Sequence, residues 1–180
     1  MAHALTLFRL FLIFPFAFLM TREDASSAVV AGILFVVAIV SDIVDGPIAR
    51  RLGTATVKGR AADHTADFLF GTCGLMAGAT RGAFPWILPL LIATAFAQDV
   101  IDSYWLHRQR ELRMSWLGRC NGMVYFVPLG GDILIRLGLS GLEILLTPVI
   151  WLLVVSTLLS IADRLVALNP RSQRPRNETG

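Results

Sequence analysis

Charge is scarce in this chain. Only 16% of its 180 residues are Asp, Glu, Lys or Arg, while 55% are apolar, and the mean hydropathy is +0.65. That balance excludes an ordinary soluble domain and points to a helical protein that crosses a membrane several times. Cysteine occurs only twice, as Cys73 and Cys120. Neither has the spacing of a metal ligand set or a disulfide framework, so both read as small packing residues. No basic face interleaved with aromatics is present. The net charge of +3 therefore gives no support to nucleic-acid binding, because the basic residues are scattered between apolar spans. Internal repeats and paired broken helices, which many ion-coupled transporters show, are also missing.

What is present is a concentration of acid where it is least expected. Asp42 and Asp45 lie three residues apart, Asp63 and Asp67 four apart, and both pairs flank apolar sequence. On helices each pair occupies one face. An acid at a bilayer centre costs about 2.5–3.5 kcal/mol, and such residues usually mark function. Two like charges about 6 Å apart add roughly 3 kcal/mol of repulsion at an effective dielectric near 20. A cluster of this kind requires cations. Oxygen ligands suit Mg2+ or Mn2+, and four facing carboxylates can hold two ions in the arrangement used for in-line phosphoryl displacement.

The order of residues is as informative as their chemistry. From Asp42 the chain reads Asp, two residues, Asp45-Gly46, two residues, Ala49-Arg50, eight residues, Gly59, three residues, Asp63, three residues, Asp67. This resembles the signature of the CDP-alcohol phosphotransferase family at every specified position. Outside residues 42–67 the likeness rests on topology and short echoes. Leu5-Thr6-Leu7-Phe8-Arg9 is similar to the first-helix entry of the phosphatidylglycerophosphate synthase branch, and Ser115-Trp116-Leu117-Gly118-Arg119 is similar to a family Ser, two residues, Gly-Lys sequence with arginine for lysine. One departure is Asp63-His64. The synthase branch commonly has Asp-Pro there, and Asp-His is more like the choline and ethanolamine phosphotransferases.

The resemblance implies a metal-dependent membrane enzyme of phospholipid synthesis. It would transfer a phosphatidyl group from CDP-diacylglycerol to a small polar alcohol, with glycerol 3-phosphate the leading acceptor, and release CMP. Asp42, Asp45, Asp63 and Asp67 would hold the metal, and Asp67 would take the proton of the acceptor hydroxyl. Gly46 and Ala49 leave a shallow helix surface for the CDP group, Arg50 offers a phosphate contact, and Gly59 is expected to allow a tight entry into the next helix. Arg9, His64 and Arg119 are further candidates for acceptor or phosphate contacts. Arg9 equally suits snorkelling to headgroups, and His64 an interfacial position. The other readings are the same chemistry with inositol phosphate, serine or phosphatidylglycerol, a CDP-choline or CDP-ethanolamine donor with diacylglycerol, and, in another class, a cation-binding transporter.

Hydropathy predicts an all-α membrane domain over residues 1–168 with six spans, followed by a polar, disordered tail over 169–180. The first span is expected at about 4–20. Having only Arg9 before its apolar run and no small-residue cleavage site after it, the segment reads as a retained helix and not a signal peptide. Thr21 to Ser27 reads as a polar turn, with a second helix from about Ala28 past Asp45 that Pro47 should kink. A third helix is expected from near Gly59, a fourth from Trp86 to near His107, a fifth from about Leu117 and a sixth over about Leu142 to Ala162. Gly74 and Gly78 have the small-xxx-small spacing of close helix contacts, which would serve packing within the chain or the homodimer common in the resembled family. Asp99 and Asp102 read either as structural partners of arginines or as the lining of an acceptor pocket, and Asp132 with Arg136 as a local ion pair. With six spans, Arg50, Arg51, Lys58 and Arg60, the arginines from 108 to 119 and those from 164 to 176 share one face. Only Arg22, Arg81 and Arg136 mark the other. The positive-inside rule then places both termini and the acids at the cytoplasmic face of the cell membrane.

Overall fold

The computed structural model describes residues 2–51, 57–101 and 122–167, with side chains throughout except at 2–5, 45–51, 57–58, 60, 164 and 166–167. All regular structure among the described residues is helical: α1 (Ala2–Met20), α2 (Ala25–Arg51), α3 (Val57–Thr80), α4 (Ile87–Ile101), α5 (Phe126–Arg136) and α6 (Glu143–Ala167), with a single 3-10 turn at Ser140–Leu142. Among the described residues, two stretches are long and apolar enough to cross a membrane, Ala25–Val44 and Ser140–Asp163, and Thr6–Met20 and Ile87–Ile101 are shorter apolar helices. α3 also spans 24 residues. Its acids at the N-terminal end lower its hydropathy, and those acids are what the fold is arranged to accommodate.

The start of α2 lies earlier than the turn-forming residues suggest. Asp24 accepts from the Ser27 backbone N–H and the Ser26 hydroxyl, each at 2.7 Å, and from the Ser27 hydroxyl at 2.9 Å. Asp24 is thus an N-cap, and the serines belong to the first turn. At its other end α2 remains helical through Pro47 to Arg51. Gly59 lies in the first turn of α3, near the start expected for that helix. Among the described residues, the glycines that work as turns are Gly82 and Gly138, with φ of 84° and 107°. After α3, Ala83 N–H bonds Gly78 O and Gly82 N–H bonds Ala79 O. After α5, Leu139 and Gly138 make the matching pair to Leu134 and Ile135. Both are Schellman closures, which need a left-handed residue.

α1 packs chiefly on α3 and α2. It runs parallel to α3, since Arg9 meets Asp67 near one end and Met20 O accepts from Arg81 Nε near the other. Between these contacts lies an aromatic core. Phe16 stacks on Phe70 at 4.3 Å between centroids, with Phe35 6.1 Å from Phe16. Gly74 makes that approach possible, because a Cβ there would lie 2.6 Å from Phe16 and 3.1 Å from Leu129. A Cβ on Gly78 would lie 2.5 Å from Phe84. Both glycines therefore serve packing within the chain.

A polar clasp closes the end of the bundle away from the acids. Arg81 reaches Asp132 at 2.6 Å, and Arg136, the partner expected from sequence, makes a longer ion pair of 3.8 Å with the same carboxylate. Arg136 also donates to Leu19 O at 3.2 Å. Together the two arginines satisfy carbonyls at the C-terminus of α1.

Candidate active site

Three helices bring the described acids together. Thr6 and Arg9, three residues apart on α1, face Asp63 and Asp67, four apart on α3. Helical periodicity puts each pair on one stripe, and parallel packing sets the stripes side by side. The Thr6 hydroxyl donates to Asp63 Oδ1. One guanidinium nitrogen of Arg9 donates to Asp67 Oδ1 at 2.5 Å, and the other terminal nitrogen lies 3.2 Å from Asp42 Oδ1 on α2.

Burial makes these contacts consequential. Arg9 is 1% exposed, and a buried charge without a partner is strongly unfavourable. Asp67 at 23% and Asp42 at 49% exposure supply the counter-charge. Asp42 and Asp63 both lie close enough to act on Asp67 electrostatically. The pairing is unfinished on the arginine side. Arg9 Nε has no hydrogen-bond partner, and the nitrogen at ion-pair distance from Asp42 lacks the alignment of a hydrogen bond.

Above the cluster lies a cavity of about 620 Å³, a size suited to a small-molecule ligand. Arg9, Asp42, His64, Asp67, Asp99 and Thr157 all line it. Phe68 and Phe96, stacked at 3.9 Å, form an aromatic wall, and His64 packs 5.9 Å from Phe96. A second wall carries hydroxyls. Tyr125 Oη and Thr157 Oγ1 are 2.9 Å apart, and Ser160 and Thr72 lie beside them in the lining. Thr72 differs from Thr65, Thr94 and Thr147, which bond the carbonyl one turn back. Its buried hydroxyl has no such partner.

The structure thus brings Arg9, Asp42, Asp63, His64 and Asp67 into one region. Asp99 is a pocket-lining residue, 5% exposed. Asp45, Gly46, Ala49 and Arg50 lie on α2 just beyond Asp42, and their side chains are outside those described. Asp102 and Arg119 lie outside the described residues, as does the tail over 169–180. Thr6 is the residue that sequence reasoning missed. Its signal was a hydroxyl three residues before the only arginine of an apolar helix.

Among the described residues no three His, Cys, Asp or Glu side chains converge closely enough to form a complete metal site. The donor chemistry is nevertheless right for a hard cation. Two carboxylates from different helices converge on a single positive group.

The family model for CDP-alcohol phosphatidyltransferase matches residues 1–162. The chain belongs to that family. It is 31% identical over 144 residues to a probable phosphatidylglycerophosphate synthase of Mycobacterium tuberculosis (strain H37Rv), covering 78% of this chain and 68% of the relative. It is 30% identical over 131 residues to the CDP-diacylglycerol–glycerol-3-phosphate 3-phosphatidyltransferase of Escherichia coli K12, covering 69% and 71%. The protein of that same name from Salmonella typhimurium LT2 is 29% identical over the same shares. Membership of this family decides for a transferase over a transporter, and with the apolar helices it is consistent with a membrane enzyme.

Proposed function

We propose that this chain transfers a phosphatidyl group from CDP-diacylglycerol to glycerol 3-phosphate. The acceptor oxygen attacks the lipid-side phosphorus, the phosphorus–oxygen bond to the CMP group breaks, and CMP leaves with the electron pair. The observation that carries this reading is the meeting of Asp42 and Asp67 at the wall of a cavity, inside a complete family signature. The relatives named for glycerol 3-phosphate favour that acceptor over those used with the same chemistry elsewhere.

Asp67 has the position required of a proton acceptor. It lines the cavity, where an acceptor hydroxyl would bind, and in the cation-free site its orientation is set by Arg9. Fixing that geometry in advance is a large part of the catalytic advantage. Thr6 holds Asp63 in the same manner. Asp42, Asp45, Asp63 and Asp67 would hold Mg2+ or Mn2+, two ions in our reading, which would neutralise phosphate charge and lower the pKa of the acceptor hydroxyl. Gly46, Ala49 and Arg50 would seat the CDP group, and Arg119 a phosphate. The stacked rings of Phe68 and Phe96 give the cavity an apolar wall.

In this reading the chain makes six spans, with both termini and the acids at the cytoplasmic face of the cell membrane. Support comes from the basic residues. Arg81 and Arg136 share the end of the bundle remote from Asp42 and Asp67, and six spans would put the denser basic segments of the sequence at the other end.

The test is CMP release by the detergent-purified protein from CDP-diacylglycerol, with Mg2+ or Mn2+, across glycerol 3-phosphate, inositol phosphate, serine and phosphatidylglycerol. Release that depends on glycerol 3-phosphate is expected. Release with a different alcohol alone would reassign the acceptor, and none with any of them would overturn the reading.

A further inference from the structure

The Arg9 guanidinium sits between the carboxylates that the proposed reaction would use for cations. It touches Asp67 at 2.5 Å and Asp42 at 3.2 Å, from a position only 1% exposed. A divalent ion drawn to the same two carboxylates must compete with it, because a carboxylate oxygen engaged by an N–H has less charge to offer a metal. Arg9 also retains donors that no protein group uses. Nε and one terminal nitrogen lack hydrogen-bond partners, although the side chain is buried and lines the cavity. Unused donors on a buried guanidinium are costly, and a planar fork of this kind matches a phosphate bidentately. Among the described residues no other arginine or lysine lines the cavity.

We propose that Arg9 is an exchangeable counter-ion, competing with the divalent cation for Asp42 and Asp67 and turning its donors to a phosphate of the nucleotide when the cation prevails. The proposal rests on the metal-assisted reading above and adds an order to it. Cation and phosphate bind synergistically, because each takes over one partner in the arginine–carboxylate bridge and neither leaves a charge unpaired. In this account α1 couples the two halves of the site, in addition to bracing them.

The experiment is Mn2+ titration of the purified protein, followed by the electron paramagnetic resonance signal of free Mn2+, with and without CDP. The proteins compared are wild type, Arg9→Gln and Arg9→Lys, each checked by its melting temperature. Without nucleotide, Arg9→Gln should bind Mn2+ about tenfold more tightly than wild type, the scale of one charge-assisted hydrogen bond relieved. CDP should strengthen Mn2+ binding in wild type and do so much less in Arg9→Gln. Arg9→Lys keeps the charge on a single nitrogen that cannot bridge both carboxylates, so its Mn2+ affinity should fall between the two. That variant decides the matter if Arg9→Gln does not fold. Equal or weaker Mn2+ binding in a folded variant, or an unchanged effect of CDP, would overturn the proposal. So would the absence of Mn2+ binding in all three, and CMP release by wild type would then show separately whether the transferase reading stands.

Discussion

Arg9 and Asp67, 58 residues apart in sequence, are joined at 2.5 Å across the α1–α3 interface. Three residues earlier on α1 and four earlier on α3, Thr6 and Asp63 repeat the relationship. The first helix is therefore part of the site, since it fixes the orientation of both α3 acids. This follows from geometry alone: stripes at i, i+3 and i, i+4 on two parallel helices meet residue by residue.

Thr6→Val keeps the shape of the side chain and removes the donor to Asp63. The rate of CMP release should fall about tenfold, corresponding to one lost hydrogen bond to a charged group, while Thr6→Ser should retain most activity. An unchanged rate in Thr6→Val would show that Asp63 needs no positioning by α1.

Gly74→Val should destabilise the fold without touching the site. The first atom of the new side chain would meet Phe16 at 2.6 Å, and Phe16 is fully buried in the aromatic stack. Overpacking of this kind costs about 1–3 kcal/mol. Thermal unfolding in detergent measures it. A melting temperature equal to that of wild type would contradict the packing described.

The cap of α2 predicts a pH dependence. Hydrogen bonds from the Ser26 hydroxyl, the Ser27 N–H and the Ser27 hydroxyl hold the Asp24 carboxyl well below its ordinary value of 3.8. A group with a lowered folded-state pKa adds stability above its unfolded value and loses it as pH falls through the folded one. Asp24→Ala should accordingly melt about two to four degrees below wild type at neutral pH, and the gap should narrow under strongly acidic conditions. A gap independent of pH would show that the carboxylate charge is not what caps the helix.

The acids were legible because their spacing is local. Asp42, Asp63 and Asp67 could be assigned to helix faces from periodicity, and their order matched a family pattern. Arg9 was only half legible. Snorkelling and phosphate binding were both consistent with an arginine near the end of an apolar helix, but its partners are set by the parallel packing of α1 on α3, which no local pattern encodes. The start of α2 was misplaced because Asp24-Ala25-Ser26-Ser27 contains turn-forming residues that are equally good at capping and opening a helix. The start of α3 near Gly59 was legible, whereas the positive-φ turns at Gly82 and Gly138, found among the described residues, were not. Gly74 and Gly78 announced close contact, and only the fold shows that Phe16 and Phe84 supply it.

The most direct test compares wild type with Asp67→Asn for lipid product formed from CDP-diacylglycerol and glycerol 3-phosphate, identified by mass spectrometry, with CDP-lipid binding measured in parallel. The account predicts phosphatidylglycerophosphate from wild type. Asp67→Asn should bind CDP-lipid nearly as well and make product at least about a hundredfold more slowly, the scale of losing a general base. Full product formation by Asp67→Asn, or none by wild type despite bound CDP-lipid, would contradict it.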